Sequence, residues 1–201
     1  MTTRGSIGRR TPAWAVVLGL MSFIGRAGAA PAVLAEKGQA RMPIVLSAQA
    51  SDEQKKLAAE LADYLQRITG AKFEVTTGPG ETGIVLGTLT EFPTPDWTAA
   101  LAVKAGDGRE AFGIRTSPTR VLILGATDLG LDGGITRLLE SVGCRWFFAH
   151  PAWHIVPKAD RLAVDLDLTD RPAMLARRIW PGWGMWDAQA KADWSEWQRR
   201  V

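Results

Sequence analysis

The chain is predicted to fold as an α+β sandwich, a mixed β-sheet with two main helices packed on one face. Three observations lead there. The runs Gly83-Ile-Val-Leu-Gly87 and Val121-Leu-Ile-Leu-Gly125 are continuously apolar, as in strands buried on both faces. Two other stretches, 51–69 and 130–142, carry apolar residues at helical spacing. The segments follow in the order β-α-β-β-β-α-β-β-β with one hairpin, and a doubly wound sheet would alternate more regularly.

Residues 1–29 read as a cleavable export signal. Arg4, Arg9 and Arg10 form a positive start, Ala13 to Ile24 is an uncharged apolar stretch, and Ala27-Gly28-Ala29 fits a small-x-small cleavage site. Twelve helical residues span about 18 Å, short of the roughly 30 Å of a bilayer core, which argues against a membrane anchor. Arg9-Arg10 lacks the flanking pattern of a twin-arginine signal and is followed by Pro12, so a Sec-type route to the periplasm or the exterior is expected. No cysteine follows to carry a lipid. The formal net charge of +3 includes Arg4, Arg9, Arg10 and Arg26; without these four the balance is −1. Nothing basic remains to attract nucleic acid, and no later stretch is apolar enough for a membrane. The mature chain is long enough for one domain with its own core.

The elements then follow in order. Met42 to Leu46 is a first strand. Ser51-Asp-Glu-Gln54 is a capping-box pattern opening a helix with Leu57, Leu61, Tyr64, Leu65 and Ile68 on one face, closed by Gly70. Phe73 to Thr76 is a short strand, and Gly83 to Gly87 a central one. Thr90 to Asp107 is polar, with one helical turn from Asp96 to Leu101. Glu110 to Thr116 alternates, placing Ala111, Gly113 and Arg115 opposite Phe112 and Ile114; Ser117-Pro-Thr119 joins it to Val121–Leu124 as a hairpin. The second helix, Gly130 to Val142, presents Leu131, Ile135, Leu138, Leu139 and Val142. Gly143 to Phe148 is a return strand, Trp153 to Pro157 an edge strand, and Leu162 to Leu168 a strand with one wet face. Asp170-Arg-Pro172 reads as a linker, and Asp187 to Arg200 as a helix.

Five features bear on chemistry. Gly125-Ala-Thr-Asp-Leu-Gly130 joins a strand to a helix, where phosphates can bind, but it lacks the lysine of a phosphate loop and the G-x-G-x-x-G of a dinucleotide site; it reads as a helix start capped by Thr127 or Asp128. No other cofactor motif is found. His150 and His154 could share a metal on a helix, but Pro151 between them argues for extended backbone. Asp165 and Asp167, on one face of a strand, have the spacing of paired glycosidase acids, but solvated strand faces commonly carry such residues. Cys144, the single cysteine, excludes an internal disulfide and reads as a small buried hydrophobe. Five of the nine tryptophans, Trp180, Trp183, Trp186, Trp194 and Trp197, lie in the last 22 residues beside Arg177 and Arg178. Their rings can stack on sugars or pack into a domain; spacing leaves both open.

The segment Gly134-Ile-Thr-Arg-Leu-Leu-Glu-Ser-Val-Gly-Cys-Arg-Trp-Phe-Phe148, with Leu57–Gly70, Gly83–Gly87, Asp107–Phe112 and Val121–Ala126, resembles the N-terminal domain of alpha-glucuronidases and the related second domain of bacterial beta-N-acetylhexosaminidases. It is closer still to large secreted bacterial proteins that carry this domain before an uncharacterised barrel-like region. The resemblance covers residues 42–170 and departs at Ala149-His150 and Leu131-Asp132. It implies an accessory domain of an exported glycoside hydrolase-like protein acting on polysaccharide, beside a (β/α)8 barrel that holds the catalytic carboxylates, so none is assigned to this chain. It further implies that residues 171–201 are a linker and the truncated start of that barrel, with Arg178 and Trp180 near the sugar; Trp183 and Trp186 are added as candidate substrate-binding residues. A stand-alone carbohydrate-binding module using the C-terminal tryptophans is the alternative. The last thirty residues are expected not to fold without the missing barrel.

Overall fold

The computed structural model describes residues 31–104, 108–173 and 187–200. Strands β1 (Ala32–Glu36), β2 (Gln39–Ala40) and β3 (Ile44–Leu46) precede helix α1 (Asp52–Thr69). Strands β4 (Val75–Thr77), β5 (Gly83–Thr88), β6 (Phe112–Ser117) and β7 (Arg120–Gly125) lead to helix α2 (Asp128–Ser141). Then come β8 (Arg145–Trp146), β9 (His154–Ile155), β10 (Arg161–Val164), β11 (Asp167–Asp170) and helix α3 (Ala188–Arg200). The main sheet has six strands in the order β11-β6-β7-β5-β3-β4. Strands β4, β3, β5 and β7 run parallel, and β6 and β11 complete one side through antiparallel pairing. The α+β sandwich is therefore found, and the helix expected at 187–200 is present as α3.

Alternation along β5 and β7 explains the two apolar runs. Ile84, Leu86, Val121 and Ile123 meet Leu61, Leu65, Leu131 and Ile135 on the helix side. Val85, Leu122 and Leu124 point the other way, under Trp97 and Leu101. The cover on that second face is the expected helical turn, a short 3-10 segment at Pro95–Trp97. The two faces of β6 divide as the alternation predicts. Phe112 and Ile114 join the helix side and Ala111 the other. Gly113 lies under the Trp97 indole, which leaves no room for a Cβ, and the Arg115 guanidinium stacks 5.0 Å from the Trp97 ring centre.

Both helix starts follow their local chemistry. Ser51 Oγ accepts from the Gln54 amide and Gln54 Oε1 from the Ser51 amide, each at 3.1 Å, so both arms of the capping box form. Gly70 ends α1 with φ 74°. Thr127 caps α2 through the Leu129 amide.

Several expectations are corrected. The stretch 162–168 is two strands, not one. Thr116 takes both backbone groups of Leu166 (Leu166 N to Thr116 Oγ1 2.9 Å, Thr116 N to Leu166 O 2.8 Å), and the chain passes there from one sheet to another. On one side β10 pairs with β1 in a separate three-stranded sheet, β10-β1-β2, in which β1 and β2 have no counterpart among the expected strands; on the other β11 pairs with β6. The return strand 143–148 contracts to Arg145–Trp146 and pairs with β9 outside the main sheet. Strand β7 already has β5 and β6 as neighbours, so the chain leaving α2 finds no edge beside it. The strand expected at 73–76 is shifted to Val75–Thr77, with Phe73 buried as a plug. The hairpin turn is only Pro118-Thr119. Residues 188–200 do find a partner: α3 docks on the domain through Trp197 and Arg200, both buried. Arg171, expected in a linker, donates to the carbonyls of Ala100 and Ala102 at 3.0 Å.

Two glycines hold β7 against α2. A Cβ on Gly125 would collide with the Leu131 nitrogen and the Thr127 carbonyl, and one on Gly130 with the Ala111 carbonyl. Gly125→Ala and Gly130→Ala should each cost about 3 kcal/mol, because backbone cannot yield as a side chain can. Gly70→Ala, where a Cβ meets nothing, should cost only about 1 kcal/mol for its left-handed φ. Urea denaturation of the three variants measures the difference.

Candidate functional site

The parallel strands β3, β5 and β7 end at one edge of the sheet, where ligands bind in many α/β proteins. The polar groups there are Ser51, Gln54, Thr88, Glu91 and Asp128. Gln54 Nε2 donates to both Glu91 Oε2 and Asp128 Oδ1 at 2.9 Å, so those two oxygens lie no more than about 5.8 Å apart. That bound admits the roughly 5–5.5 Å of a retaining glycosidase pair. The oxygens are occupied, however. Glu91 Oε2 also accepts from the Thr88 amide and hydroxyl, both at 2.8 Å, and Asp128 Oδ2 accepts from Ser51 Oγ at 2.9 Å. The cluster ties the start of α1 to the start of α2 and to the end of β5. It is a brace: three of its four carboxylate oxygens accept from protein donors, and the fourth, Glu91 Oε1, is buried without a partner.

The other acid candidates separate. Asp165 lies between β10 and β11, while Asp167 sits on β11 and pairs with Arg115 at 3.2 Å. The strand that would align them is interrupted, so they are not a facing pair. The loop Gly125–Gly130 serves close packing of strand on helix and leaves no cradle for phosphate. His150 Nδ1 accepts from the Ala152 amide at 3.1 Å, and His154 Nε2 lies 3.0 Å from the Phe148 carbonyl. The two histidines shape a loop; among the described residues no group of three or more His, Cys, Asp or Glu is arranged to hold a metal. Cys144 is fully buried, and burial pushes its thiol up to about 11.

The aromatic residues divide into a packed set and an open set. Arg178, Trp180, Trp183 and Trp186 lie outside the described residues. Trp197 is buried, donates from Nε1 to the Trp146 carbonyl at 2.9 Å, and packs against Phe148 and Trp194 at centroid distances of 5.8 and 5.0 Å. For Trp194 and Trp197, packing is the reading that holds. The open set is Phe147, Phe148 and Trp153, exposed by 63, 49 and 59%, which line a cleft of about 340 Å³. The short β8–β9 ladder, the Phe147 amide on the Trp153 carbonyl at 3.2 Å and the two histidine contacts hold these rings. Such a surface can lie on sugar rings or against another domain. Sequence reasoning missed it by treating 143–148 as a sheet strand. Pro151, two residues before Trp153, was the available signal that this segment turns outward.

No family model matches the chain, and no curated protein does. Solved structures do. The chain is similar to the GH20 beta-N-acetylhexosaminidase of Streptomyces coelicolor A3(2), with 24% identity over 55% of this chain and a TM-score of 0.39. It is similar to a mutant Streptomyces plicatus beta-hexosaminidase in complex with the product GlcNAc, with 25% identity over 55% of this chain and a TM-score of 0.38. It is also similar to a family GH115 4-O-methyl-alpha-glucuronidase with specificity for decorated arabinogalactans, with 19% identity over 69% of this chain and a TM-score of 0.47. The match covers 18% of the length of each of these proteins.

The division of rings has a measurable consequence. Phe147→Ala and Trp153→Ala should change stability by no more than about 0.5 kcal/mol, as at exposed positions, whereas Trp146→Ala should cost about 3 kcal/mol or more. The Cys144 thiol should react with iodoacetamide at least about 100-fold faster in urea than in the folded chain, because burial suppresses the thiolate.

Proposed function

We propose that this domain is a non-catalytic accessory module of an exported glycoside hydrolase-like protein of polysaccharide metabolism, whose sugar-cleaving acids lie in a neighbouring (β/α)8 barrel. The motifs of residues 57–148 support the association. The observation that supports the non-catalytic part is the brace: Glu91 and Asp128, two neighbouring carboxylates at the sheet edge, accept from Gln54, Thr88 and Ser51. An acid–base pair needs oxygens free to reach the glycosidic bond. Arg178 and Trp180 remain the proposed contacts between chain and sugar in the assembled enzyme, with Trp183 and Trp186 beside them.

A second reading, binding of carbohydrate by this chain alone, is favoured by one observation, the exposure of Phe147 and Trp153. Trp194 and Trp197 are packed, so this reading adds the cleft of Phe147, Phe148 and Trp153 to Trp180, Trp183 and Trp186, which lie outside the described residues.

The purified chain should release no chromophore from aryl glucuronides or aryl hexosaminides; clear turnover would overturn the accessory reading. Tryptophan fluorescence titration with xylan or chitin oligosaccharides at millimolar concentration separates the two readings. A shift abolished by Trp153→Ala supports binding, and no shift removes it. N-terminal sequencing of the exported protein should find cleavage after Ala29.

A further inference from the structure

The last helix brings two consecutive arginines onto the helix face of the domain. Arg199 Nη1 lies 2.6 Å from Asp132 Oδ1, and its Nη2 lies 2.9 Å from both Glu60 oxygens. Arg200 goes deeper, with a fully buried side chain. Its Nη1 donates to Thr136 Oγ1 at 2.8 Å and lies 3.4 Å from Asp132 Oδ1, and its guanidinium pairs with Glu60. The same guanidinium stands 5.7 Å from the Tyr64 ring centre and 5.4 Å from that of Trp146.

Two of the residues that receive Arg200 are held by a contact of their own. Tyr64 and Trp146 meet edge to face at 5.7 Å, and Trp146 Nε1 donates to the Tyr64 hydroxyl at 3.0 Å. Glu60 and Tyr64 belong to α1, Asp132 and Thr136 to α2, and Trp146 to β8. We infer that Glu60, Tyr64, Asp132, Thr136 and Trp146 form a preformed receptor for a planar guanidinium cation, and that Arg200 occupies it as an intramolecular ligand that latches α3 to the domain. Two aromatic faces suit a flat, weakly hydrated cation, and Glu60, Asp132 and the Thr136 hydroxyl surround its edge, with Nη1 hydrogen-bonded and Nε and Nη2 left without hydrogen-bond partners. An ammonium is compact and more strongly hydrated, and fits this site poorly. Burial pushes Asp132 up and lowers Arg200 to about 10, which still leaves the guanidinium charged at neutral pH. The inference stands apart from the glycoside hydrolase reading and does not need it.

Hydrogen exchange of the α3 amides in the full chain tests it, with exchange in α1 and β7 reporting on the body of the domain. Arg200→Ala should lower α3 protection at least tenfold, and 20 mM methylguanidinium should restore it while methylammonium at equal ionic strength does not. Arg200→Lys, which keeps the charge and most of the length, should also lower protection. Equal rescue by the two cations, or unchanged α3 protection in Arg200→Ala, would overturn the receptor. If Arg200→Ala loosens the whole domain, Arg200→Lys decides the matter: wild-type protection of α3 in that variant rejects a site selective for guanidinium.

Discussion

Strands β5 and β7 lie side by side at the middle of the sheet, paired over six residues, and neither has a face that can meet water. Ile84, Val85, Leu86, Val121, Leu122, Ile123 and Leu124 are nearly or fully inaccessible. Each such side chain contributes about 1.5–3 kcal/mol when removed from solvent, so both faces of the sheet must be covered at once. Helices α1 and α2 cover one face, and Trp97 and Leu101 cover the other. Gly113, Gly125 and Gly130 occur where these layers approach most closely, because a side chain there would hold cover and sheet apart.

Polar groups are used to fix how the covering elements sit. Gln54 completes the capping box of α1 and, from the same side chain, reaches Glu91 and Asp128, so one residue joins a helix start, a strand end and a second helix start. Burying these groups is tolerable because most of them find a partner, Glu91 Oε1 being the exception. The same logic operates at the far side of the helices, where Glu60 and Asp132 meet Arg199 and Arg200 in a charge-balanced cluster. A buried ion pair adds little net stability but penalises every arrangement that leaves one member alone, and so it specifies a position. Helix α3 is placed in this way, with Trp197 and Arg200 as its anchors.

This distribution bears on what the domain can do. Glu60, Glu91, Asp128 and Asp132 are engaged in architecture, while Phe147, Phe148 and Trp153 stay exposed. Open rings of this kind can stack on a saccharide or lie against a partner domain. The open rings belong to a segment excluded from the main sheet, whose place beside β7 was already taken; exposure there is a by-product of strand order.

The helices and the two central strands were legible in the chain because their signals are local. A capping box, a glycine with positive φ, a 3.6-residue stripe and an unbroken apolar run each depend on neighbours within a few residues. The alternation of Ala111, Phe112, Gly113, Ile114 and Arg115 likewise assigned both faces of β6. What the chain could not disclose depends on partners distant in sequence. Leu162 to Leu168 alternates continuously, and only the hold of Thr116 on Leu166 divides it between two sheets. Strand β1 has no distinguishing pattern until β10 pairs with it. Glu91 and Asp128 became a brace, Trp197 an anchor and Trp153 an open ring through contacts made across 37 or more residues or through the lack of cover. Sequence by itself determined which segments are apolar and how they are periodic, since that is written in side-chain chemistry. Tertiary structure alone decided which polar groups are occupied and which rings face water, because burial is a property of the assembled layers.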